Sequence, residues 1–304
     1  MRVVISVNEE VSDYLEGGNG VSYESSLTLY QHFVDRGHEV YIVHPTETTI
    51  FEDKISFRRL LSIGDRKLSV ISEDFEMDAD VFLVRGLGED SPDPDSSMSF
   101  IYALPLIERQ VGVMLNDAES TSYEYKPKQK SLGLPFIPSF DVDVRDDIRQ
   151  LLESGERIIA KPNIGFYGVG IEYLEGPEAL SSFAGDTGGY SFERFMPEMV
   201  ERRYIFLDGR LIVRRMMERE GPPGKERPGH METLPSGEAE EERTAMRAME
   251  MTGMFYGCVD FRQGHVLEIN GSGTSTICAQ NGKLLYDIGP SVVKAVEAKA
   301  ASKA

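Results

Sequence analysis

The segment Val259–Gly271, VDFRQGHVLEING, sets Asp260, Glu268 and Asn270 inside runs that otherwise read as core. Acids are seldom buried unless they are paired or bind a cation. A three-residue loop, Gln263–His265, with Gly264 supplying positive φ, would place Val259 opposite Ile269 and Phe261 opposite Leu267 on one apolar face. Asp260 then faces Glu268 on the other side, and Asn270 lies two residues further along it. A two-residue turn would split the two acids between faces and break the apolar one. Like charges in direct opposition repel unless something positive sits between them. Three oxygen donors favour Mg²⁺ or Mn²⁺ over zinc. A solvated acidic face would carry the same pattern, so the segment alone leaves both outcomes open.

A second stretch, IIAKPNIGFYGVG at 158–170, delivers Lys161 at a strand end and then Gly165, Gly168 and Gly170. Glycines let backbone N–H groups approach a phosphate, and a lysine adds a point charge. The lysine precedes the glycines, unlike a Walker loop, and an ordinary hairpin has the same composition. A third stretch, YSFERFMPEMVERRYIFLDGRLIVRR, runs from an apolar strand through Glu193–Phe195 into a strand bearing Arg202 and Arg203.

The elements that must position these residues alternate in the first third. RVVISV and HEVYIVHP read as strands on either side of a helix with Leu27, Tyr30, Phe33 and Val34 on one face and Gly37 as its stop. ADVFLVRG, a helical SFIYALPLIERQ and GVMLN follow, a βαβ succession that implies a parallel sheet. EGGNG at 16–20 is not GxGxxG and reads as a substrate-facing loop rather than a dinucleotide cradle. After Asn116 a polar, Pro-punctuated connection leads to a helix at VRDDIRQLLESG and strands at RIIAKPN, GIEYL and GYSFERFMP. The last third gives strands RRYIFLDG and RLIVRRM, a Gly/Pro-rich 220–237, a helix from EAEEERTAMRAMEMTG, the opening hairpin and a helical tail.

The bulk numbers narrow the class. The chain has 304 residues, 40% hydrophobic and 27% charged, with a net charge of −19. That balance argues against a nucleic-acid partner, which calls for a basic surface. No apolar run is long enough for a transmembrane helix, the start lacks a secretory pattern, and Cys258 and Cys278 form no disulfide framework or zinc knuckle. A cytoplasmic protein with no membrane partner is expected; a homo-oligomer is compatible with the sequence.

In order, these segments resemble the ATP-grasp superfamily, and within it the glutathione synthetase-like carboxylate–amine ligases. AKPNIGFYGVGI resembles the family's Lys-Pro-then-glycine phosphate loop, ERFMPE its adenine hinge and RRYIFLDGRLI its Arg-then-Asp-Gly hairpin. VDF and LEIN match its metal motif in residue types and spacing, and ESSLTLYQHFVDRGHEVYIVHP resembles the first helix and second strand of its N-terminal domain. The resemblance implies an α/β chain, α+β in its nucleotide-binding part: an ATP-grasp fold with an N-terminal parallel-sheet (pre-ATP-grasp) domain. The divisions would be 1–118 for the N-terminal domain, 119–192 for the central subdomain and 193–304 for the C-terminal subdomain.

The same resemblance implies roles. Asp260, Glu268 and Asn270 would hold Mg²⁺ (or Mn²⁺) against ATP. Lys161, Gly165, Tyr167, Gly168 and Gly170 would meet phosphate, while Glu193, Arg194 and Phe195 would meet adenine, mainly by backbone, and Glu201 the ribose. Lys126 falls where the family keeps its other nucleotide lysine, with Lys128 and Lys130 as competitors. Arg203 would support an acyl-phosphate transition state, joined by Arg215 or Arg219. Arg85, Ser272, Gly273, Thr274 and Ser275 are expected at the substrate.

The implied activity is ATP-dependent activation of a carboxylate and its joining to an amine, on small-molecule or peptide substrates. Modification of a peptide or protein by amino-acid addition or cross-linking is the alternative, and a non-catalytic ATP-binding protein another. Two segments depart from the family: REGPPGKERPGHMETLPSG has His230 near an expected Asn, and GSGTST replaces a Pro-containing loop. The 220–237 segment, with Lys225 and Arg227, reads equally as a lid or a surface loop.

Overall fold

The computed structural model describes residues 1–7, 25–51, 54–64, 67–87, 95–140, 145–163, 170–183, 185, 187–223, 225–272 and 274–303. EGGNG, Gly165, Tyr167, Gly168 and Gly273 lie outside them.

The N-terminal part is built on β1 (Arg2–Ser6), α1 (Ser25–Asp35), β2 (Glu39–Val43), β3 (Thr48–Phe51), β4 (Lys54–Gly64), β5 (Lys67–Glu76), β6 (Val81–Val84), α2 (Asp95–Gln110) and β7 (Val113–Leu115). Seven strands form one sheet in the order β3-β4-β2-β1-β6-β7, with β5 on the free side of β4. The β2-β1-β6-β7 portion is parallel. Its strands are apolar on both faces because helices cover both, as a parallel sheet requires. Helix α1 buries Ser26, Leu29, Tyr30 and Phe33 and ends at Gly37, whose φ of 79° closes the cap. Val34 does not join that face; it is 38% exposed, a full residue's rotation past Phe33. The antiparallel meander β3–β5 was not anticipated, although KISFRRLLSIGDRKLSV alternates around a Gly-Asp turn.

The polar connection after Asn116 folds into short helices, α3 (Ala118–Thr121), a 3₁₀ turn (Ser122–Glu124) and α4 (Lys126–Lys130). A four-stranded antiparallel sheet follows, made of β8 (Ser139–Phe140), β9 (Arg157–Pro162), β10 (Glu172–Glu175) and β11 (Tyr190–Arg194) in the order β10-β9-β11-β8. Helix α5 (Arg145–Glu153) packs Ile148 and Leu152 against Ile158, Ala160 and Phe192, a core of its own.

The last part has β12 (Val200–Leu207), β13 (Arg210–Glu220), β14 (Arg227–Thr233), α6 (Ala239–Thr252), β15 (Tyr256–Arg262), β16 (His265–Asn270), β17 (Ile277–Gln280), β18 (Lys283–Asp287) and α7 (Gly289–Lys303). Its five-stranded sheet runs β14-β13-β12-β15-β16, and β17–β18 form a separate hairpin. Residues 227–233, expected as lid or loop, are an edge strand on β13. One face of this sheet packs Val259, Phe261 and Ile269 on Ala245, Ala248 and Met249 of α6. Arg202 and Tyr204 reach Glu241 across that interface, and Arg214 reaches Glu242.

The hairpin that carries the acids has a two-residue turn, not the expected three-residue loop. Gln263 and Gly264 both have positive φ, 52° and 76°, the geometry of a type I′ turn. A bulge between Asp260 and Phe261 restores the expected opposition, so Asp260 faces Glu268 and Val259 faces Ile269, while Phe261 faces Val266. The extra residue absorbed at Leu267 is what lets a short turn and one acidic face coexist.

Candidate active site

The polar face of the five-stranded sheet carries a row of charges across adjacent strands. Arg215 on β13 lies opposite Arg203 on β12, Arg203 opposite Asp260 on β15, and Asp260 opposite Glu268 on β16. Alternation of side chains keeps all four on the side away from α6. Arg203 Nε and Nη2 donate to Asp260 Oδ1 and Oδ2, each at 2.6 Å, and Asn270 Nδ2 donates to Oδ2 at 3.3 Å. Burial pushes the Asp260 carboxyl up and Arg203 pulls it down; burial works against the guanidinium, yet Asp260 holds Arg203 well above its usual value. The charged pair is the state that satisfies every donor and acceptor. Glu268 is half-buried and, among the described residues, makes no side-chain hydrogen bond or salt bridge.

Arg215 is buried, donates from Nη1 to Cys278 Sγ at 3.7 Å, and leaves Nε without a partner. Tyr286, opposite Cys278 in the β17–β18 hairpin, also has an unpartnered hydroxyl, and burial pushes it up to about 12. Arg219 does not stand with Arg203: its Nε is 2.7 Å from Glu201, which also accepts from Arg262 at 2.6 Å. Burial opposes ionisation of Glu201, but the two arginines outweigh it and lower its pKa. Glu201, expected at a ribose, is thus buried in an ion triad.

A second cluster comes from the four-stranded sheet and α4. Glu193 is buried; its Oε1 lies 3.1 Å from Lys130 Nζ and its Oε2 2.5 Å from Lys161 Nζ. The contact with Lys161 is an ion pair rather than an aligned hydrogen bond. Together these lysines overcome the burial of Glu193 and lower its pKa. Lys126 is held below its ordinary value by burial, while Glu268 and Glu193 pull it up and Lys161 pushes it down. Lys126 N donates to Asn163 O at 3.1 Å, and Gln129 of the same helix is bonded to the Ile269 backbone, so α4 bridges the two sheets. Of the three lysines weighed from sequence, Lys126 and Lys130 face this locus; Lys128 turns to Glu119 at 2.7 Å and to the Tyr123 ring.

Arg194 pairs with Glu156 at 2.8 Å, and Phe195 is buried edge-on to Tyr173 with centroids 5.1 Å apart. The Arg194 and Phe195 amides are already used, donating to Pro138 O and Arg157 O. Gly170 has φ 74°, and an added Cβ would lie 2.9 Å from Pro162.

The loop after Asn270 is pinned from beneath by residues the sequence did not flag. Buried Glu124 accepts from Gly271 N and Ser272 N at 2.7 Å and from Ser272 Oγ at 3.0 Å, and burial raises its pKa. Thr274 Oγ1 donates to Asn270 O at 2.7 Å, and Tyr256 OH donates to Ser275 O at 2.9 Å. The Ser272 and Thr274 side chains are thus spent inside the loop. Two amides act as substitute strands: Asn116 exchanges hydrogen bonds with the Tyr256 backbone, and Gln129 with that of Ile269. In sequence these are polar residues of a connection, with no periodicity to mark them.

Among the described residues no group of three or more His, Cys, Asp and Glu side chains is arranged for a metal. The donor set here is mixed, two carboxylates and an amide, with Glu268 free of protein partners. Oxygen donors of this kind fit a hard divalent cation. Asp260 would have to yield at least one of its oxygens from Arg203.

No family model matches the chain, and no curated protein matches it by sequence. Solved structures do match over nearly all of its length. The ATP-grasp ligase PsnB, complexed with a phosphomimetic variant of its minimal precursor, Mg and ADP, superposes with a TM-score of 0.61 at 18% identity, covering 98% of each chain. The macrocyclase MdnC from Microcystis aeruginosa, bound with precursor peptide MdnA, gives 0.60 at 15% identity over 97% of this chain and 98% of that one. D-cycloserine synthetase DcsG gives 0.62 at 12% identity over 99% and 100%. With two antiparallel sheets converging on one cluster of acids and lysines beside an N-terminal parallel sheet, the chain has the ATP-grasp fold.

Proposed function

We propose that the protein is an ATP-dependent carboxylate–amine ligase, releasing ADP and forming an amide bond. One observation carries this: α4 is held to Ile269, beside Glu268, through Gln129, and its Lys130 lies 3.1 Å from Glu193, which also pairs with Lys161, so cations and oxygen donors of the two sheets meet at one locus. Such a locus suits a polyphosphate better than any neutral ligand.

In this reading Lys126, Lys130 and Lys161 bind phosphate oxygens, and Glu193 holds two of these lysines in place. Gly165, Tyr167, Gly168 and Gly170 supply the loop over the phosphates, and the hinge Glu193–Phe195 borders the adenine. Asp260, Glu268 and Asn270 would hold Mg²⁺ (or Mn²⁺), which when bound neutralises charge on the transferred phosphoryl group. Arg203 and Arg215 lie in the same row and orient the acyl phosphate; the amine then attacks its carbonyl carbon, the C–O bond to phosphate breaks, and inorganic phosphate and a proton leave as the amide forms. Ser275 would face the substrate, because the Ser272 and Thr274 side chains are bonded to Glu124 and Asn270. No protein nucleophile is required, since positioning and charge neutralisation supply the rate.

The carboxylate can be that of a small molecule or of a peptide; the peptides held by PsnB and MdnC favour testing both. No helix among the described residues is long and apolar enough to cross a membrane, and the two cysteines are free and buried, which suits a cytoplasmic setting. ADP release with a panel of acids and amines, including a dipeptide and a protein tail, tests the proposal. ATP binding with no acid–amine pair raising ADP formation would refute it and leave a nucleotide-binding protein.

A further inference from the structure

Arg85 stands at the switch point of the N-terminal sheet. From β1 the chain moves outward to β2 on one side and returns to β6 on the other, so a crevice opens beyond the carboxyl ends of β1 and β6. Arg85 directly follows β6, and its backbone N donates to Ser6 O and Ser6 Oγ, both at 3.2 Å, which locks it to the end of β1.

Its guanidinium lies 5.5 Å from the centroid of the Tyr256 ring, and Nη2 donates to Ser25 Oγ at 3.0 Å. Nε and Nη1 are buried and have no partner. A guanidinium has two forks that share Nη2, so the bond to Ser25 occupies one of them and leaves the other intact. A small, mostly apolar cavity lined by Leu83, Arg85, Leu115, Asn116, Tyr256 and Gly271 lies between this point and the start of the loop that follows Asn270.

Other buried or half-buried arginines of this chain carry a matching acid. Arg202 has Glu241, Arg203 has Asp260, Arg214 has Glu242, and Arg219 and Arg262 share Glu201. Among the described residues Arg85 has no acid, and Arg215, in the charged row, resembles it in this. A cation withdrawn from water with an open fork is poised for an anion that arrives with a ligand.

We propose that Arg85 anchors a carboxylate that the reaction does not consume, so that one substrate is an amino acid or peptide unit carrying a second, free carboxylate. The substrate class rests on the ligase reading; the anchoring itself does not, and is measured separately.

The test compares the wild type with Arg85→Gln and Arg85→Lys, using single amino acids and short acidic peptides, each beside its carboxamide, with a non-hydrolysable ATP analogue and Mg²⁺ present. Calorimetry should find an acid that binds the wild type about tenfold or more tighter than its amide. Arg85→Gln should reduce that ratio to near one, Arg85→Lys should keep part of it, and analogue affinity should stay within about twofold for both. In turnover, KM for the acid should rise about tenfold in Arg85→Gln with little change in kcat. If Arg85→Gln fails to fold, by circular dichroism, Arg85→Lys decides by its loss of the fork. Absence of any acid-over-amide preference in the wild type overturns the proposal, as does a preference that survives both substitutions. Discriminating binding without stimulated ADP release would sink the ligase reading and leave the anchor standing.

Discussion

Arg203 and Asp260 face each other across β12 and β15 and share two hydrogen bonds of 2.6 Å, the carboxylate out of water and the guanidinium half-buried. The pair is a lock on the carboxylate that would bind metal. Removing only one end leaves a buried charge. Arg203→Gln is expected to destabilise the protein by about 3 kcal/mol, and Arg203→Lys by less, because charge survives without the fork. Chemical denaturation with urea measures both. Equal stability of Arg203→Gln and wild type would show that Asp260 is not held by this pair.

Glu268 gives the opposite sign. Among the described residues it faces Asp260 without a hydrogen bond or salt bridge of its own, so Glu268→Gln removes a like-charge opposition at the cost of its pull on Lys126. Without added metal the variant should be as stable as wild type or more stable by about 0.2–1 kcal/mol. The rise in unfolding temperature on adding Mg²⁺ and ATP should disappear with the turnover. A retained Mg²⁺-dependent shift would remove Glu268 from the proposed ligands.

Glu201 ties acid stability to ion pairs. Arg219 and Arg262 hold its native pKa below the ordinary 4.5. A carboxyl depressed in the folded state contributes stability above its unfolded value and loses it as pH falls through the native one. Glu193, lowered by Lys161 and Lys130, adds in the same direction. Unfolding temperatures should therefore drop steeply below about pH 4.5. Glu201→Gln should cost about 3 kcal/mol at neutral pH and flatten that acid limb.

Gly271 is constrained by space. A Cβ there would lie 2.5 Å from Asn116 Nδ2, which holds the Tyr256 backbone, and 3.2 Å from Glu124 Oε1, which pins the loop. Gly271→Ala should destabilise by about 1–3 kcal/mol through overpacking and should raise KM for substrate more than for ATP. A thermal melt and initial-rate kinetics check the two parts.

The sequence made the acidic hairpin legible because its apolar partners fix which residues share a face. Val259, Phe261 and Ile269 chose the opposition of Asp260 and Glu268 even though the turn was taken one residue too long. A bulge at Leu267 has no side-chain signature, so only the pattern on both sides of it could be read. The β17–β18 hairpin was missed although Asn281-Gly282 marks it, because ICAQ and KLLYD are too short to declare a period. Glu124, Asn116 and Gln129 were invisible for another reason. Their partners are backbone groups in distant strands, and local spacing does not encode such contacts.

The packing also says which parts must move together. Val3 and Ile5 of the N-terminal sheet and Phe33 of α1 share a continuous core with Ile205, Leu207 and Cys258 of the five-stranded sheet, and Asn116 and Gln129 staple the connection to it. The four-stranded sheet keeps Ile148, Leu152, Ile158 and Phe192 to itself. Arg85, Asp260 and Glu268 therefore sit on parts joined by one core, while Lys161 and Glu193 belong to a sheet whose core, among the described residues, is separate. Hydrogen exchange should slow at the seam between them, in β8 and at Lys126 N, which donates to Asn163 O, when nucleotide binds. The ion pair across that seam, Lys130 with Glu193, is mostly out of water, so added salt should loosen it only weakly.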